Sequence, residues 1–300
     1  MWRRRARREM IETNYLEPSE EWLEQINEDL RRNDVPHPQR AWEAWMKWCE
    51  HAGVSSSLND PDVKKIFDWF EKNTKVGSQN FGPMYVGSYY YDSCFWPVSI
   101  PVVAGEITYD PLKSLKTIPD TIKQRLLRNH QETMNYLLVW ADCYDFAYGI
   151  EKCIANNGMN SFSRELFRSG RQQLEEAITL LHERSPNPSA YESARMTTEI
   201  FLKAFLASKN RMTEREAIKV FGHNLVRLLT RCLQVDSKSD LRVIRKELNF
   251  LPQVRERYTG AERTSVELWL AYSVGQFVAT TAVRSLTGRD CRSSVKVTRA

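Results

Sequence analysis

The chain has 300 residues, 42% hydrophobic and 27% charged, with 12 glycines and 12 prolines. That is the make-up of an ordinary globular protein, and it excludes collagen-like and low-complexity chains. No apolar run approaches the length that a membrane-crossing helix needs. The basic opening from Met1 to Arg8 leads into Glu9–Asn14 and not into an apolar stretch, so no secretory leader is expected and the expected compartment is the cytoplasm. The formal net charge is +5, and Arg3, Arg4, Arg5, Arg7 and Arg8 alone account for it. A second small excess closes the sequence, with Arg284, Arg289, Arg292, Lys296 and Arg299 set against Asp290. Such arms either hold phosphates, in a salt-dependent way, or stand as solvated termini.

The first predicted helix covers Ala41–Glu50, where Trp42, Trp45 and Trp48 recur at every third residue behind Pro36 and Pro38. Asn59-Asp60-Pro61 reads as an N-cap with proline in the first turn of the next helix, which turns Val63, Ile66, Phe67 and Phe70 inward. From Gly77 to Pro111 glycines and prolines break any helix, and short aromatic and β-branched runs (Tyr85, Tyr89–Tyr91, Phe95, Trp96, Val98, Ile100) predict extended segments or a small sheet. Such an aromatic row either stacks nucleobases or packs on neighbouring helices. No Arg or Lys lies between Gly77 and Leu112, which favours packing. Helical spacing returns at Ile118 and holds to Ala155, and Asn156-Asn157-Gly158 ends it. A domain boundary is placed there.

The second half predicts five helices joined by short turns: Phe162–Glu183, Ala190–Ser208, one opened by the capping box Thr213-x-x-Glu216 and running through Leu229, Ser239–Asn249, and Arg263–Ser285. The fold class is therefore mainly α. An antiparallel five-helix bundle over residues 159–288 is preceded by an aromatic-rich, mostly helical domain over 1–158 with the irregular segment 77–111, and followed by a basic tail over 289–300.

Six cysteines (Cys49, Cys94, Cys143, Cys153, Cys232, Cys291) make no C-x-x-C pair, so they read as reduced, mostly buried thiols, with no metal site or cofactor implied. Phosphate-loop, dinucleotide-binding, zinc-protease and serine-hydrolase signatures do not occur. The candidate chemistry lies elsewhere. Glu199 and Lys203 form an i,i+4 pair with the acid on the N-terminal side. The pair is either a surface bridge worth a few tenths of a kcal/mol or a means of presenting Lys203 to a phosphate. His223 follows Gly222 at a position read as mid-helix, where glycine lowers helix propensity by about 1 kcal/mol relative to alanine. It is either a boundary histidine or a ligand. Arg257-Tyr258 follows Pro252 and precedes the last helix, where a guanidinium can hold a phosphate or bond the end of the preceding helix.

Taken in order, Glu199-x-x-x-Lys203-Ala204-x-Leu206, then Gly222-His223-Asn224-Leu225-x-x-Leu228, then Arg257-Tyr258 before a closing helix, the chain from about 161 to 287 resembles the HEPN domain family. The resemblance implies a small helical bundle that binds a nucleotide or another phosphate-bearing ligand. It further implies a homodimer, and association with a nucleotidyltransferase or another protein. Glu199, Lys203, His223, Asn224, Arg257 and Tyr258 would form the ligand site. Many relatives in the wider superfamily are ribonucleases carrying Arg-x4–6-His, which implies a second reading as a toxin or phage-defence ribonuclease with His223 catalytic. This chain departs from that motif: Arg215, the nearest arginine upstream of His223, lies outside the spacing, and the matching spacings, Arg31 and Arg32 to His37 and Arg125 to His130, fall in the first half. No D-x-D pair follows Gly77-Ser78 or Gly87-Ser88, so the chain itself carries no nucleotidyltransferase signature. A third reading is a protein-interaction module with an exposed apolar patch over Tyr85–Trp96.

Overall fold

The computed structural model describes residues 17–53, 60–75, 82–102, 108–252 and 262–295. The chain is mainly helical with one two-stranded sheet. It divides into two compact units, Met1–Gly82 and Pro83–Ala300.

The described residues of the first unit form three helices: α1 (Glu20–Arg32), α2 (His37–Ala52) and α3 (Pro61–Asn73). Their shared core is Leu23, Ile26 and Leu30 of α1, Ala41, Ala44 and Trp48 of α2, and Val63, Ile66 and Phe70 of α3. Ser19 caps α1 by accepting from the Trp22 N–H, and Asp60 caps α3 ahead of Pro61 as the sequence predicts. The tryptophan row on α2 does not bury as a unit. Trp48 is in the core, while Trp42 is 40% exposed. Three residues turn a helix by less than a full revolution, so a strict every-third row winds off the core face. Ala41, Ala44 and Trp48 keep to that face.

The second unit opens with the hairpin β1 (Tyr85–Tyr91) and β2 (Cys94–Ile100), antiparallel, in the register Tyr85↔Ile100 to Tyr91↔Cys94. Asp92 and Ser93 turn it with positive φ of 53° and 62°, the left-handed pair that a two-residue hairpin demands. A 3-10 turn, Pro111–Ser114, leads to α4 (Asp120–Arg128) and α5 (His130–Ile154). The single helix expected over this stretch is thus two, parted at Asn129, whose side chain caps α5 through the Glu132 N–H. Then come α6 (Ser161–Leu181), α7 (Ala190–Ser208), the single turn α8 (Glu214–Glu216), a π-helical turn (Ala217–Phe221) and α9 (Leu225–Val235). Two 3-10 turns (Asp240–Arg245, Glu247–Phe250), α10 (Ser265–Thr287) and the short α11 (Cys291–Ser294) complete it. The stretch read as a helix over Ser239–Asn249 is therefore 3-10 backbone, with Leu241, Ile244 and Leu248 still buried.

One apolar core runs through this unit from Tyr85 to Val283. The boundary expected at Gly158 falls inside it: Phe146 and Ile150 before that point and Phe167 and Phe201 after it belong to the same cluster. The hairpin aromatics explain the difference. Tyr85 lies 5.1 Å from Phe146, and Tyr89 lies 5.2 Å from Tyr136 and 5.6 Å from Trp269, ring centre to ring centre. The Tyr272 hydroxyl accepts from the Ser88 N–H at 2.9 Å. These rings are buried on helices, which resolves the choice between base stacking and packing in favour of packing. The exposed patch of the interaction-module reading does not form, since Tyr85, Tyr89 and Phe95 are buried and Tyr90, Tyr91 and Trp96 are partly covered.

The basic tail expected from 289 is docked as far as Val295. Arg284 binds Asp142 and Asp145, each at 2.7 Å, Arg292 binds Asp142 at 2.6 Å, and the Cys291 N–H donates to Asp145. Two carboxylates buried in α5 demand such partners, and the arginines of the closing segment supply them. Lys296 and Arg299 lie outside the described residues. All six cysteines are free thiols; Cys143, Cys153 and Cys232 are buried, and Cys94 is exposed. Burial pushes the Cys153 thiol up to about 12. No helix among the described residues is long and apolar enough to cross a membrane.

Candidate functional site

Helix α7 is buried on nearly every side, so its polar residues must find partners within the fold. Arg195, Glu199 and Lys203 stand at successive i,i+4 positions and share one face. Glu199 is the hub. Its carboxylate accepts from Lys203 Nζ at 2.8 Å, from Arg195 Nη1 at 3.1 Å and from His223 Nδ1 at 3.0 Å. The side chains of Arg195 and Glu199 are each 3% exposed and that of Lys203 is 13% exposed, whereas that of His223 is 56% exposed. Burial pushes the Glu199 carboxyl up, but the hydrogen bonds and charge of Lys203 and His223 outweigh it and hold the group below its ordinary value. The Glu199–Lys203 pair is therefore not the surface bridge that spacing alone allows.

Arg195 joins three segments. Its Nε donates to the Pro252 carbonyl at 2.9 Å and its Nη2 to the His223 carbonyl at 2.8 Å, beside its bond to Glu199. Sequence reasoning passed over this residue. Its signal was there: one helical turn before Glu199, an arginine completes an Arg-x-x-x-Glu-x-x-x-Lys row on an otherwise buried helix.

The helix expected from Thr213 through Leu229 is interrupted. The capping box of Thr213 and Glu216 forms as predicted, but the chain then widens into the π-helical turn and reverses at Gly222, with φ 51° and ψ −121°. A side chain is strained there, so this glycine serves the turn and not a mid-helix crossing. Asn224 follows as the N-cap of α9, its side chain accepting from the Arg227 N–H at 2.9 Å. His223 therefore sits on the loop entering α9, at the end of the helix that favours negative charge.

A cleft of about 680 Å3 opens at this point, with His223, Asn224, Arg227, Asn249 and Arg195 in its wall. Arg227 is held by a bond from Nη1 to the Val220 carbonyl at 2.6 Å and lies over the Phe221 ring. Glu199 and Lys203 are not in the wall. Glu199 fixes the His223 ring, and Lys203 in turn binds Glu199. A carboxylate can only accept, so Nδ1 carries the hydrogen in that contact and Nε2 is left with its lone pair in the neutral imidazole. Of the six residues singled out from the sequence, the fold thus brings Glu199, Lys203, His223 and Asn224 together, the first two as support and the last two at the cleft. Arg257 and Tyr258 lie outside the described residues.

The Arg-to-His spacings of the first half do not become Arg–His pairs among the described contacts. Arg31 and Arg32 both bind Glu28, Arg125 binds Asp92, and His37 Nδ1 accepts from the Lys75 N–H. Among the described residues no group of three or more His, Cys, Asp or Glu is placed to hold a metal. Compared with protein-family models, with curated proteins and with solved structures, the chain matches none.

Proposed function

We propose that this chain is a HEPN-like protein that binds a nucleotide or another phosphate-bearing ligand in the cleft at His223, as a homodimer and without ribonuclease activity. The observation that carries the reading is the imidazole held through Nδ1 by the buried Glu199 while its ring is half exposed beside Arg227 and the first turn of α9. Arg195 and Lys203 against Glu199 leave one net positive charge at the cleft, and Arg227 adds another in its wall. A helix N-terminus and fixed cations together favour a phosphate. The order of the motifs, from Glu199 through Lys203 and His223 to Tyr258, is the sequence support for the family.

Calorimetric titration with ATP, GTP and a short RNA tests the proposal. At least one of them is expected to bind with a Kd below about 1 mM. A phosphate oxygen can only accept, so the ring must take a second proton, on Nε2, to bond it; His223→Ala is expected to weaken that binding about tenfold, the size of one lost charge-assisted hydrogen bond, and added salt is expected to weaken the RNA case further. Silence from all three at millimolar concentration contradicts the proposal.

One observation favours the ribonuclease reading. A histidine oriented on one nitrogen by a buried carboxylate is the arrangement that acid–base catalysis uses, and Glu199–His223 has it. Cleavage of RNA by the purified chain, lost in His223→Ala, would replace binding by hydrolysis as the function of this cleft. Intact RNA keeps it a binding site.

A further inference from the structure

The unit Pro83–Ala300 holds a second cavity, of about 490 Å3, walled by β1, α5, α10 and the 3-10 turns before α10. Aromatic surface comes from Tyr89, Trp269 and Phe277, and carboxylates come from Glu132 and Glu247. Tyr89 and Trp269 meet edge to face with centroids 5.6 Å apart, and Trp269 lies 5.9 Å from Tyr272. The volume suits a small molecule.

The charges decide what kind of molecule. Asp142 also reaches this wall, but Arg284 and Arg292 already answer it at 2.7 and 2.6 Å. Arg292, the one basic residue among the described residues of the wall, is committed by that bond and lies over the Phe277 ring. Glu132 receives the Tyr89 hydroxyl at 3.2 Å and has no ion pair among the described residues. Glu247 is left with less: its Oε2 is buried and has no hydrogen-bond partner. A carboxylate oxygen cut off from water without a donor is costly. An N–H cation in the cavity removes that cost once the Glu247 side chain turns its carboxylate to meet it, and aromatic walls add attraction for the same cation. An anion would face two uncompensated carboxylates, and an uncharged apolar molecule would leave Glu247 as it is.

We propose that this cavity binds a primary organic ammonium on a short apolar body, with Glu247 as counter-ion and Trp269 and Phe277 against the apolar part. The site is separate from the His223 cleft and does not depend on what that cleft binds.

The test is calorimetric titration of the full chain with n-hexylammonium, with 1-hexanol and hexanoate as uncharged and anionic counterparts at the same ionic strength. n-Hexylammonium is expected to bind with a Kd below about 1 mM, and the other two at least about tenfold more weakly. Glu247→Gln is expected to weaken the ammonium about tenfold and Trp269→Leu about threefold, while His223→Ala leaves it unchanged. Thermal unfolding of each variant shows that it is folded. Equal binding of hexanol and hexylammonium, no binding of hexylammonium, or full affinity in a folded Glu247→Gln chain each overturns the proposal. Should that variant not fold, undiminished affinity in Trp269→Leu overturns it instead.

Discussion

Glu199→Ala is expected to destabilise the second unit by about 3–5 kcal/mol, the range for removing one partner from a buried ion pair. Two cations converge on this carboxylate, and they differ in what they can do without it. Lys203 is 13% exposed, and its flexible stem can carry the ammonium towards water. Arg195 is 3% exposed and pinned at both ends, to the Pro252 carbonyl and the His223 carbonyl, so its charge stays buried. Most of the loss therefore falls on Arg195. Glu199→Gln keeps the shape and one acceptor oxygen and is expected to lose about half as much. Hydrogen exchange of α7 and α9 amides under rising urea measures this unit by itself. A loss below about 1 kcal/mol in Glu199→Ala would mean that the cluster does not hold α7 to the His223 loop. Acid carries the same information. The folded carboxyl is held below its ordinary value of 4.5, so the unfolded chain takes up the proton first as pH falls. The stabilisation is complete above about 4.5 and is lost as pH drops through the lower folded value. Glu199→Gln should remove that acid dependence.

Arg284→Met is expected to cost a similar amount, about 3–5 kcal/mol, at the opposite end of the same argument. Asp142 and Asp145 are buried in α5, and Arg284 of α10 spans both of them at 2.7 Å. With Arg284 gone, Asp142 keeps Arg292 and Asp145 keeps the Cys291 N–H, so both remaining supports lie in the closing segment. That segment should then become the weakest part of the unit, and trimming the chain after Gly288 should be far more damaging in Arg284→Met than in the parent. The double variant Asp145→Asn, Arg284→Met is expected to recover part of the loss, because the carboxylate left without a cation is removed with its partner. Urea unfolding of the four chains of this cycle measures the coupling. Additive losses would show that Asp145 and Arg284 do not act as a pair.

The parts of this fold that sequence reading found share a physical character. Where the signal is a side chain acting on its own neighbourhood, it is legible: the Asp60-Pro61 start of α3, the Thr213–Glu216 box, and the apolar stripes of α6, α7 and α10. α1 was equally legible from Ser19, Leu23, Ile26 and Leu30, and was passed over. Backbone form was not legible where burial alone was encoded. Leu241, Ile244 and Leu248 face inward on 3-10 turns just as they would on an α-helix, so the spacing names the face but not the hydrogen-bond pattern. Asn129 and Gly222 each look tolerable inside a helix, and only the packing on either side shows that one caps α5 and the other reverses the chain before α9. The division between units was misread at Gly158 because a strong helix stop resembles a domain end. The aromatics of the hairpin belong to the later helices through contacts far apart in sequence. Local pattern does not encode such long-range pairing. At the site, spacing brought out Glu199 and Lys203 and left Lys203 between a surface bridge and a phosphate contact. Its pairing with a buried Glu199 comes from α7 being enclosed on nearly every side.

The most direct measurement is the nitrogen spectrum of the His223 imidazole with and without ATP. The chain has 5 histidines, and His223→Ala assigns the signal. In the free protein the neutral ring is expected to carry its proton on Nδ1, held by Glu199, and Glu199→Gln should release that preference. Saturating ATP is expected to shift Nε2 strongly while the signals of the other four histidines stay in place. A ring that carries its proton on Nε2 in the free chain, or a signal unmoved by millimolar ATP, would contradict a phosphate site built on Glu199 and His223.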